Sequence, residues 1–375
     1  MKKFLPIISM LFPVLTYAQK NKIPTTYDLV IGTYTKGTSK GVYVYRFYTE
    51  SGRLAYLSQS DNTSNPSYVA ISKDNKFVYA VNEDGKDGGV SAFTFDPHVG
   101  TMKLLNRQSS AGADPCHISV DEDRKNVIVA NYSSGTLSVL PINKDGSLGP
   151  PSQVIQDKGK GPDASRQEGP HAHMALFSPG EKYLLCNDLG VDKLFIYRYR
   201  DSKPQPLTLE NTVNIAPGGG PRHLTFSPDK KYLYLLQEMG STITTYEFNN
   251  GKPKEVQSVK MLKPDFKGTN GAAAIHITPD GKYLYATDRL DASAILAYSI
   301  NPENGQLTFI ERHTTYGKNP RDFAIDPTGK YVIVANQDSD NIVVFKINQA
   351  NGTLTTTGKG TQIGNPVCLK FTAAE

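Results

Sequence analysis

Short runs in which apolar and polar residues alternate, separated by polar turns, recur along this chain. One phrase of about 20 residues occurs six times, near Asn65, Asp114, His173, Gly220, Ala273 and Asn319. In the copy from Gly220 the runs predicted as strands are 223–227, 231–237 and 242–248, with a weaker fourth after Gly251. Alternation with period two and enrichment in β-branched and aromatic residues are typical of strands. Since no stretch has a helical period, the pattern predicts an all-β protein.

The spacing of the copies indicates how the strands are arranged. Units of roughly 40–50 residues with four strands each are typical of β-propeller blades. The segments DLVIGTYT, GVYVYRF and GRLAYLSQS near the N-terminus match strands two, three and four, and NPVCLKF near the C-terminus matches strand one. We therefore predict a single domain over residues 22–375. It is a seven-bladed β-propeller closed by strands from both termini, which leaves no open sheet edge.

The N-terminal residues have the order of a secretory signal peptide. Lys2 and Lys3 precede an apolar run over residues 4–15, and the small-residue site Thr16-Tyr17-Ala18 follows. We predict a signal peptide over residues 1–18 and an exported, periplasmic mature protein; the alternative is an N-terminus that is not cleaved. The apolar run is too short to span a bilayer, so no membrane insertion of the mature chain is expected.

Composition mainly excludes classes of function. The net charge is +5, and it is +3 without Lys2 and Lys3, too small an excess to indicate nucleic-acid binding. Cys116, Cys186 and Cys368 are too few for a disulfide framework, and we expect the first two to pack as small apolar residues in strands. No cofactor motif is present, and no carboxylate or cysteine cluster completes a metal site around the histidines. The oligomeric state is left open.

The repeats also distinguish scaffold positions from candidate functional positions. Strands one and two of a blade form a hairpin, so the start of one and the end of the other lie at one mouth of the central channel. A residue type shared by all copies at such a position indicates scaffold, and a type found in few copies indicates function. Charged or titratable residues that stand out in these columns are His173, Arg222, Arg321, Glu238 and Arg289.

A polar loop between the second and third copies, over residues 153–173, is longer than its counterparts and adds His171 and Arg166. It is either a surface insertion or a loop that shapes the site. Arginines bind anions and stabilise developing oxyanions, while glutamate and histidine transfer protons. For Arg222 and Glu238 the alternative is a structural ion pair within their hairpin. His117 and His223 share one repeat column and are expected to be structural.

Four segments resemble a known family: PHAHMALFSP, PGGGPRHLTFSPDKKYLYLLQE, AAAIHITPDGKYLYATDR and NPRDFAIDPTGKYVIVANQDSDNIVVF. They are similar to the lactonase family of seven-bladed propellers, which includes bacterial 6-phosphogluconolactonases and fungal carboxymuconate-lactonising enzymes. The resemblance covers essentially everything after the leader. It implies a site of one histidine, arginines and a glutamate, which match His171 or His173, Arg222, Glu238 and Arg289.

The resemblance implies a carboxylic-ester hydrolase that acts without a cofactor on a small anionic lactone. The expected reaction is hydrolysis of 6-phospho-D-glucono-1,5-lactone to 6-phosphogluconate, or of a related exported lactone. Glu238 or His173 would act as general base, and Arg222 and Arg289 would hold the substrate anion and the oxyanion. Arg321, His171 and Arg166 would extend the binding site. Two alternatives stay open: a lactonising cycloisomerase acting on a dicarboxylate, and a non-catalytic exported binding propeller.

Overall fold

The computed structural model describes residues 24–60 and 63–372. Within these ranges 28 strands, numbered in chain order, form seven antiparallel sheets of four strands each. Three short 3-10 helices lie at Gly85–Asp87, Leu290–Ala292 and Gln337–Ser339. None of the helices in the described ranges is long and apolar enough to cross a membrane. The predicted signal peptide lies outside the described residues.

The seven sheets are the blades of a propeller. Blade 1 consists of β4 (Val69–Ile71), β5 (Phe77–Asn82), β6 (Gly89–Asp96) and β7 (Thr101–Ser109). Blade 2 consists of β8 (Pro115–Val120), β9 (Asn126–Asn131), β10 (Thr136–Pro141) and β11 (Gln153–Gln156). Blade 3 consists of β12 (Ala172–Phe177), β13 (Tyr183–Asp188), β14 (Lys193–Tyr199) and β15 (Leu207–Asn214). Blade 4 consists of β16 (Pro221–Phe226), β17 (Tyr232–Gln237), β18 (Thr242–Asn249) and β19 (Lys252–Lys260).

The remaining blades follow the same order. Blade 5 consists of β20 (Ala272–Ile277), β21 (Tyr283–Asp288), β22 (Ala294–Ile300) and β23 (Leu307–His313). Blade 6 consists of β24 (Pro320–Ile325), β25 (Tyr331–Asn336), β26 (Asn341–Ile347) and β27 (Leu354–Gln362). Blade 7 combines β28 (Pro366–Phe371) with β1 (Thr26–Thr33), β2 (Tyr43–Tyr48) and β3 (Arg53–Gln59). The prediction of a seven-bladed all-β propeller is confirmed.

The first strand of each blade is innermost. Contacts between first strands run from β4 through β8, β12, β16, β20, β24 and β28 and return to β4. These seven strands therefore line a central channel. The apolar core lies between neighbouring blades rather than at the centre of the ring, and one cluster, for example, joins Leu236 of blade 4 to Leu284 of blade 5. Cys186 is a free thiol buried in such a cluster, as expected of a small apolar residue. Cys116 is also a buried free thiol in a strand, and its Sγ lies 3.4 Å from the carbonyl oxygen of His173. Cys368 is buried in another of these clusters.

The ring closes where β28 pairs with β1, from Leu29 opposite Phe371 to Gly32 opposite Cys368. Gly32 is required at this junction, because a Cβ there would lie 2.5 Å from the carbonyl oxygen of Pro66 in the neighbouring blade. Leu369 of β28 is 1% exposed and belongs to the apolar cluster between blades 6 and 7. The closure predicted from the two chain ends is thus confirmed.

Two details of blade 4 differ from the sequence prediction. Strand β16 begins at Pro221 rather than at residue 223, because Pro221 pairs with Gln237 on the far side of a β-bulge. The fourth strand is not weak but extends over nine residues. Its sequence pattern is faint because it is the outermost strand, where most side chains are exposed or only partly buried.

We expect the closing strand to carry a large share of the stability. Replacing Leu369 by Ala should lower the free energy of unfolding by about 2–5 kcal/mol, since it removes a fully buried leucine and leaves a cavity. Guanidinium chloride denaturation measures this. The matched control is Leu104→Ala on β7, where the leucine is 53% exposed, with an expected change of about 0.5 kcal/mol or less. Equal losses in the two variants would contradict this role of β28.

Candidate active site

A β-bulge near the start of strand one places the variable side chains at the channel mouth. In blades 2 to 7 the ladder between strands one and two shifts register at this point. The residues that the ladder skips include Cys116, His173, Arg222 and Arg321. Bulges redirect side chains and are common beside active sites. The variable column at the start of strand one, which contains His173, Arg222 and Arg321, is therefore the column of bulge residues.

The last residue of strand two has the structural role that its uniform polar type predicts. In the six complete copies these side chains are buried, at Asn82, Asn131, Asp188, Gln237, Asp288 and Asn336. The carboxylate of Asp188 accepts hydrogen bonds from the amides of His171 (2.8 Å) and Gly190 (2.9 Å). Such bonds fix the loops that enter and leave each hairpin, which confirms the scaffold interpretation of this column.

Glu238 lies at the centre of a cluster of arginines. Its Oε2 accepts a hydrogen bond from Arg222 Nε at 2.9 Å and forms an ion pair with Arg289 Nη2, also at 2.9 Å. Its Oε1 accepts a hydrogen bond from Arg166 Nη2 at 2.7 Å. The Arg222–Glu238 pair within the hairpin does form, but two further arginines, from blade 5 and from the long loop, join it. The result is a charged network across three segments of the chain.

This network determines the charge state of its members. Burial alone would raise the pKa of Glu238, but the charges of Arg289 and Arg222 outweigh it and hold the pKa well below its usual range. Burial and two neighbouring guanidinium groups lower the pKa of Arg222 to about 10. At neutral pH the cluster therefore consists of a carboxylate surrounded by cations.

The long loop contributes to the site rather than standing apart from it. Arg166 reaches Glu238 while remaining 44% exposed at the rim. Gln167 beside it is fully buried and donates a hydrogen bond to the carbonyl of Leu189 at 2.8 Å, which anchors the loop to blade 3. Of the two interpretations of this segment, the contacts favour the one in which it shapes the site.

The two histidines of the PHAH segment have different surroundings. His171 stacks on Tyr132 with ring centroids 4.5 Å apart, and its Nε2 lies 3.2 Å from Glu168 Oε1. His173 is the bulge residue and is 5% exposed, and its Nδ1 has no hydrogen-bond partner among the described residues. Burial and the charge of Arg222 hold the pKa of His173 well below its usual range. His173 is therefore a neutral imidazole at the mouth.

Below His173 a column of rings fills the channel. His173 contacts His223 at 5.4 Å between centroids, His223 contacts His117 at 6.0 Å, and His117 lies 4.3 Å from Tyr68. His117 and His223 are buried, in agreement with the structural role expected for them. The rings separate the charged mouth from the other end of the channel.

A cavity of about 400 Å³ lies at that other end. Its walls are largely apolar, and Lys370, the lysine that lines it, is already hydrogen-bonded to the hydroxyl of Tyr68 at 2.9 Å. The arginines and Glu238 do not line it. We place the candidate site at the charged mouth, because binding an anion and moving a proton require the groups found there.

Arg321 lies at the same mouth but outside the Glu238 network. Its guanidinium carbon is 5.4 Å from the centroid of the Tyr34 ring. Within the described part of the chain it makes no hydrogen bond or ion pair. Electrostatic interactions link it to Glu238 and to Glu83. All its N–H donors are thus available to a ligand, unlike those of the other three arginines.

Two residues of this mouth, Tyr34 and Glu83, were missed by the sequence analysis. Each follows the last residue of a second strand, at the position that Glu238 and Arg289 occupy in their blades. The Tyr34 hydroxyl donates to both carboxylate oxygens of Glu83, at 2.9 and 3.0 Å. Glu83 occupies this variable position in blade 1, and Tyr34 occupies it in blade 7, which is not one of the six complete copies. Across residues 24–60 and 63–372, no three His, Cys, Asp or Glu side chains are placed to hold a metal ion.

Comparisons with known proteins identify the family of the chain. The chain is 38% identical over 349 residues to the 6-phosphogluconolactonase of Bacillus subtilis, which covers 92% of this chain and 99% of that protein. A crystal structure from Bacteroides fragilis superposes with a TM-score of 0.90 at 42% identity, over 93% of this chain and 98% of the other. The periplasmic gluconolactonase of Pseudomonas aeruginosa superposes with a TM-score of 0.89 at 34% identity, over 93% of this chain and 100% of the other. The family model "Lactonase, 7-bladed beta-propeller" matches residues 28–371, and the chain belongs to that family.

Proposed function

We propose that this protein hydrolyses a sugar-type lactone at the charged mouth of its channel, with 6-phospho-D-glucono-1,5-lactone as the first substrate to test. The single observation that carries the proposal is the excess of positive charge there in a member of the lactonase family. Four guanidinium groups, from Arg166, Arg222, Arg289 and Arg321, face two carboxylates. An excess of cations suits a substrate that is an anion and a reaction that develops an oxyanion.

The arginines at the mouth have different roles in this proposal. Arg289 is partly exposed at 14% and uses Nε and one Nη for Gly271 and Glu238. Its other Nη has no partner among the described residues and can stabilise the oxyanion on the lactone carbonyl. Arg222 is buried beside it and adds positive charge. Arg321, whose donors are all available, binds the phosphate or another anionic group of the substrate. Arg166 and His171 line the rim.

Neither Glu238 nor His173, the two residues first considered as the general base, is a strong proton acceptor in this structure. A carboxylate whose pKa is held far below neutral is a weak proton acceptor, and this applies to Glu238. His173 has a free Nδ1, but its low pKa also makes it a weak base. Within the proposed function, Glu238 organises the arginines and His173 orients the substrate or a water molecule.

Export of the mature chain is part of this proposal. The order of residues 1–18 supports it, as does similarity to a periplasmic gluconolactonase. An exported enzyme would meet lactones formed outside the cytoplasm, including unphosphorylated sugar lactones. Both substrate types therefore belong in the assays.

The substrate prediction concerns Arg321. Wild type should accelerate opening of both 6-phosphogluconolactone and gluconolactone above the spontaneous rate. Arg321→Gln should lower kcat/KM about 10- to 100-fold for the phosphorylated lactone, since a charge-assisted hydrogen bond contributes about 1.5–3 kcal/mol. The loss for the unphosphorylated lactone should be much smaller. Stopped-flow detection of proton release measures both.

Arg53→Gln, on the outer strand of blade 7, is the matched control and should leave both rates unchanged. If Arg321→Gln lowers kcat/KM equally for the two lactones, Arg321 does not bind the phosphate. If wild type accelerates neither lactone, the proposed function is wrong.

The export prediction concerns the N-terminus. When the complete chain is produced in a Gram-negative host, the protein recovered from the periplasm should begin at Gln19. Intact-mass spectrometry of the fractionated protein gives the terminus directly. Recovery from the cytoplasm with residues 1–18 still attached would contradict export.

A further inference from the structure

We propose that Glu83, held by Tyr34 at the channel mouth, is the general base that activates water, while Glu238 serves to hold the arginines. This inference rests on the proposed function, because it assigns a step of lactone hydrolysis. It identifies a residue in blade 1, on the part of the mouth away from the Glu238 cluster.

The position of Glu83 is fixed by the backbone. It follows Asn82, the last residue of β5, and its amide donates to the carbonyl of Asn65 at 3.0 Å. The neighbouring residue in the ring of the mouth is Tyr34, which follows the last residue of β1. Glu83 is only partly buried, and its place after the last residue of a second strand puts it at the mouth where a substrate and a water molecule would enter.

The two carboxylates of the mouth have opposite surroundings. Glu238 is bound by three guanidinium groups. Glu83 makes no ion pair within the described residues and accepts its hydrogen bonds from the neutral hydroxyl of Tyr34. Burial raises the pKa of Glu83, and the charge of Arg321 together with the hydroxyls of Ser67 and Tyr34 offsets this only in part, while the negative charge of Asp114 adds to the rise. A pair of carboxylates whose environments separate their pKa values marks the division of roles in many hydrolases.

Arg321 connects the two halves of the mouth. It lies over the ring of Tyr34 and interacts electrostatically with both Glu83 and Glu238. Arg289 likewise interacts with Glu238 and with Arg321. A lactone whose carbonyl oxygen faces Arg289 and whose anionic group meets Arg321 therefore lies within the same mouth as Glu83.

The step balances without another reactant. The oxygen of water forms a bond to the lactone carbonyl carbon, and one of its protons moves to the Glu83 carboxylate. The carbonyl π pair moves onto oxygen, where the guanidinium groups stabilise it. When the C=O bond re-forms, the bond to the ring oxygen breaks, and that oxygen takes the proton back from Glu83. The product is the open hydroxy acid, which loses its acidic proton to solvent.

The test compares Glu83→Gln with Glu238→Gln on wild-type background, using gluconolactone because the phosphate of the other lactone itself titrates near pH 6. Removing a general base should lower kcat by about 100-fold or more while KM stays within about threefold. It should also abolish the fall of kcat at acid pH. Glu238→Gln should raise KM but should retain this fall of kcat at acid pH, which is the acid limb of the pH–rate profile. Thermal melting of each variant establishes that it is folded.

Tyr34→Phe is the second variant and keeps the proposal testable if Glu83→Gln does not fold. The Tyr34 hydroxyl donates to the ionised carboxylate and so favours that form. Its removal should raise the pKa of Glu83 and move the acid limb to higher pH by about one unit. A purely structural role for Tyr34 would not move this limb.

The outcomes separate the two proposals. An active wild type whose kcat and acid limb survive in Glu83→Gln would overturn the role of Glu83 and leave the lactonase function standing. If the acid limb is lost in Glu238→Gln but kept in Glu83→Gln, the general base is Glu238 and not Glu83. If wild type accelerates neither gluconolactone nor its 6-phosphate, both proposals fail together.

Discussion

Repulsion among four guanidinium groups at one channel mouth is the constraint that the rest of the site must satisfy. Arg222 is 2% exposed, and a buried cation without a partner is strongly destabilising. Glu238 compensates this charge by forming ion pairs with three of the four groups. The fold supplies the pieces separately, since a bulge in β16 presents Arg222, the end of β17 presents Glu238 and the long loop delivers Arg166. Glu238 links these segments, because its carboxylate binds both Arg222 and Arg166.

That role limits what Glu238 can do chemically. A carboxylate that neutralises three cations has little tendency to take up a proton. The repeat architecture offers a second carboxylate at the equivalent position of blade 1, where Glu83 has a phenol as its partner instead of arginines. Equivalent positions in different blades thus support different chemistry, because the side chains around them differ while the backbone is the same.

Most of the fold follows from the sequence. The period-two runs, the turns between them and the fragment NPVCLKF were sufficient to predict seven blades and their closure. The contrast between copies also identified the bulge column, including Arg222 and Arg321, although the bulge itself was not predicted. The pairing of Tyr34 with Glu83 could not be predicted, because it joins side chains of two neighbouring blades, 7 and 1, that are 49 residues apart in the sequence. The charge state of Glu238 likewise depends on distances to three arginines from separate segments.

The most direct test of this account is an NMR titration of the glutamate side-chain carboxyl carbons in ¹³C-labelled protein, with Glu83→Gln and Glu238→Gln used for assignment. We expect the resonance lost in Glu83→Gln to titrate above the ordinary glutamate value of about 4.3. The resonance lost in Glu238→Gln should stay ionised over the whole acid range in which the protein is folded. A Glu83 that titrates at or below the ordinary value, or a Glu238 that titrates above it, would contradict the division of roles between the two carboxylates.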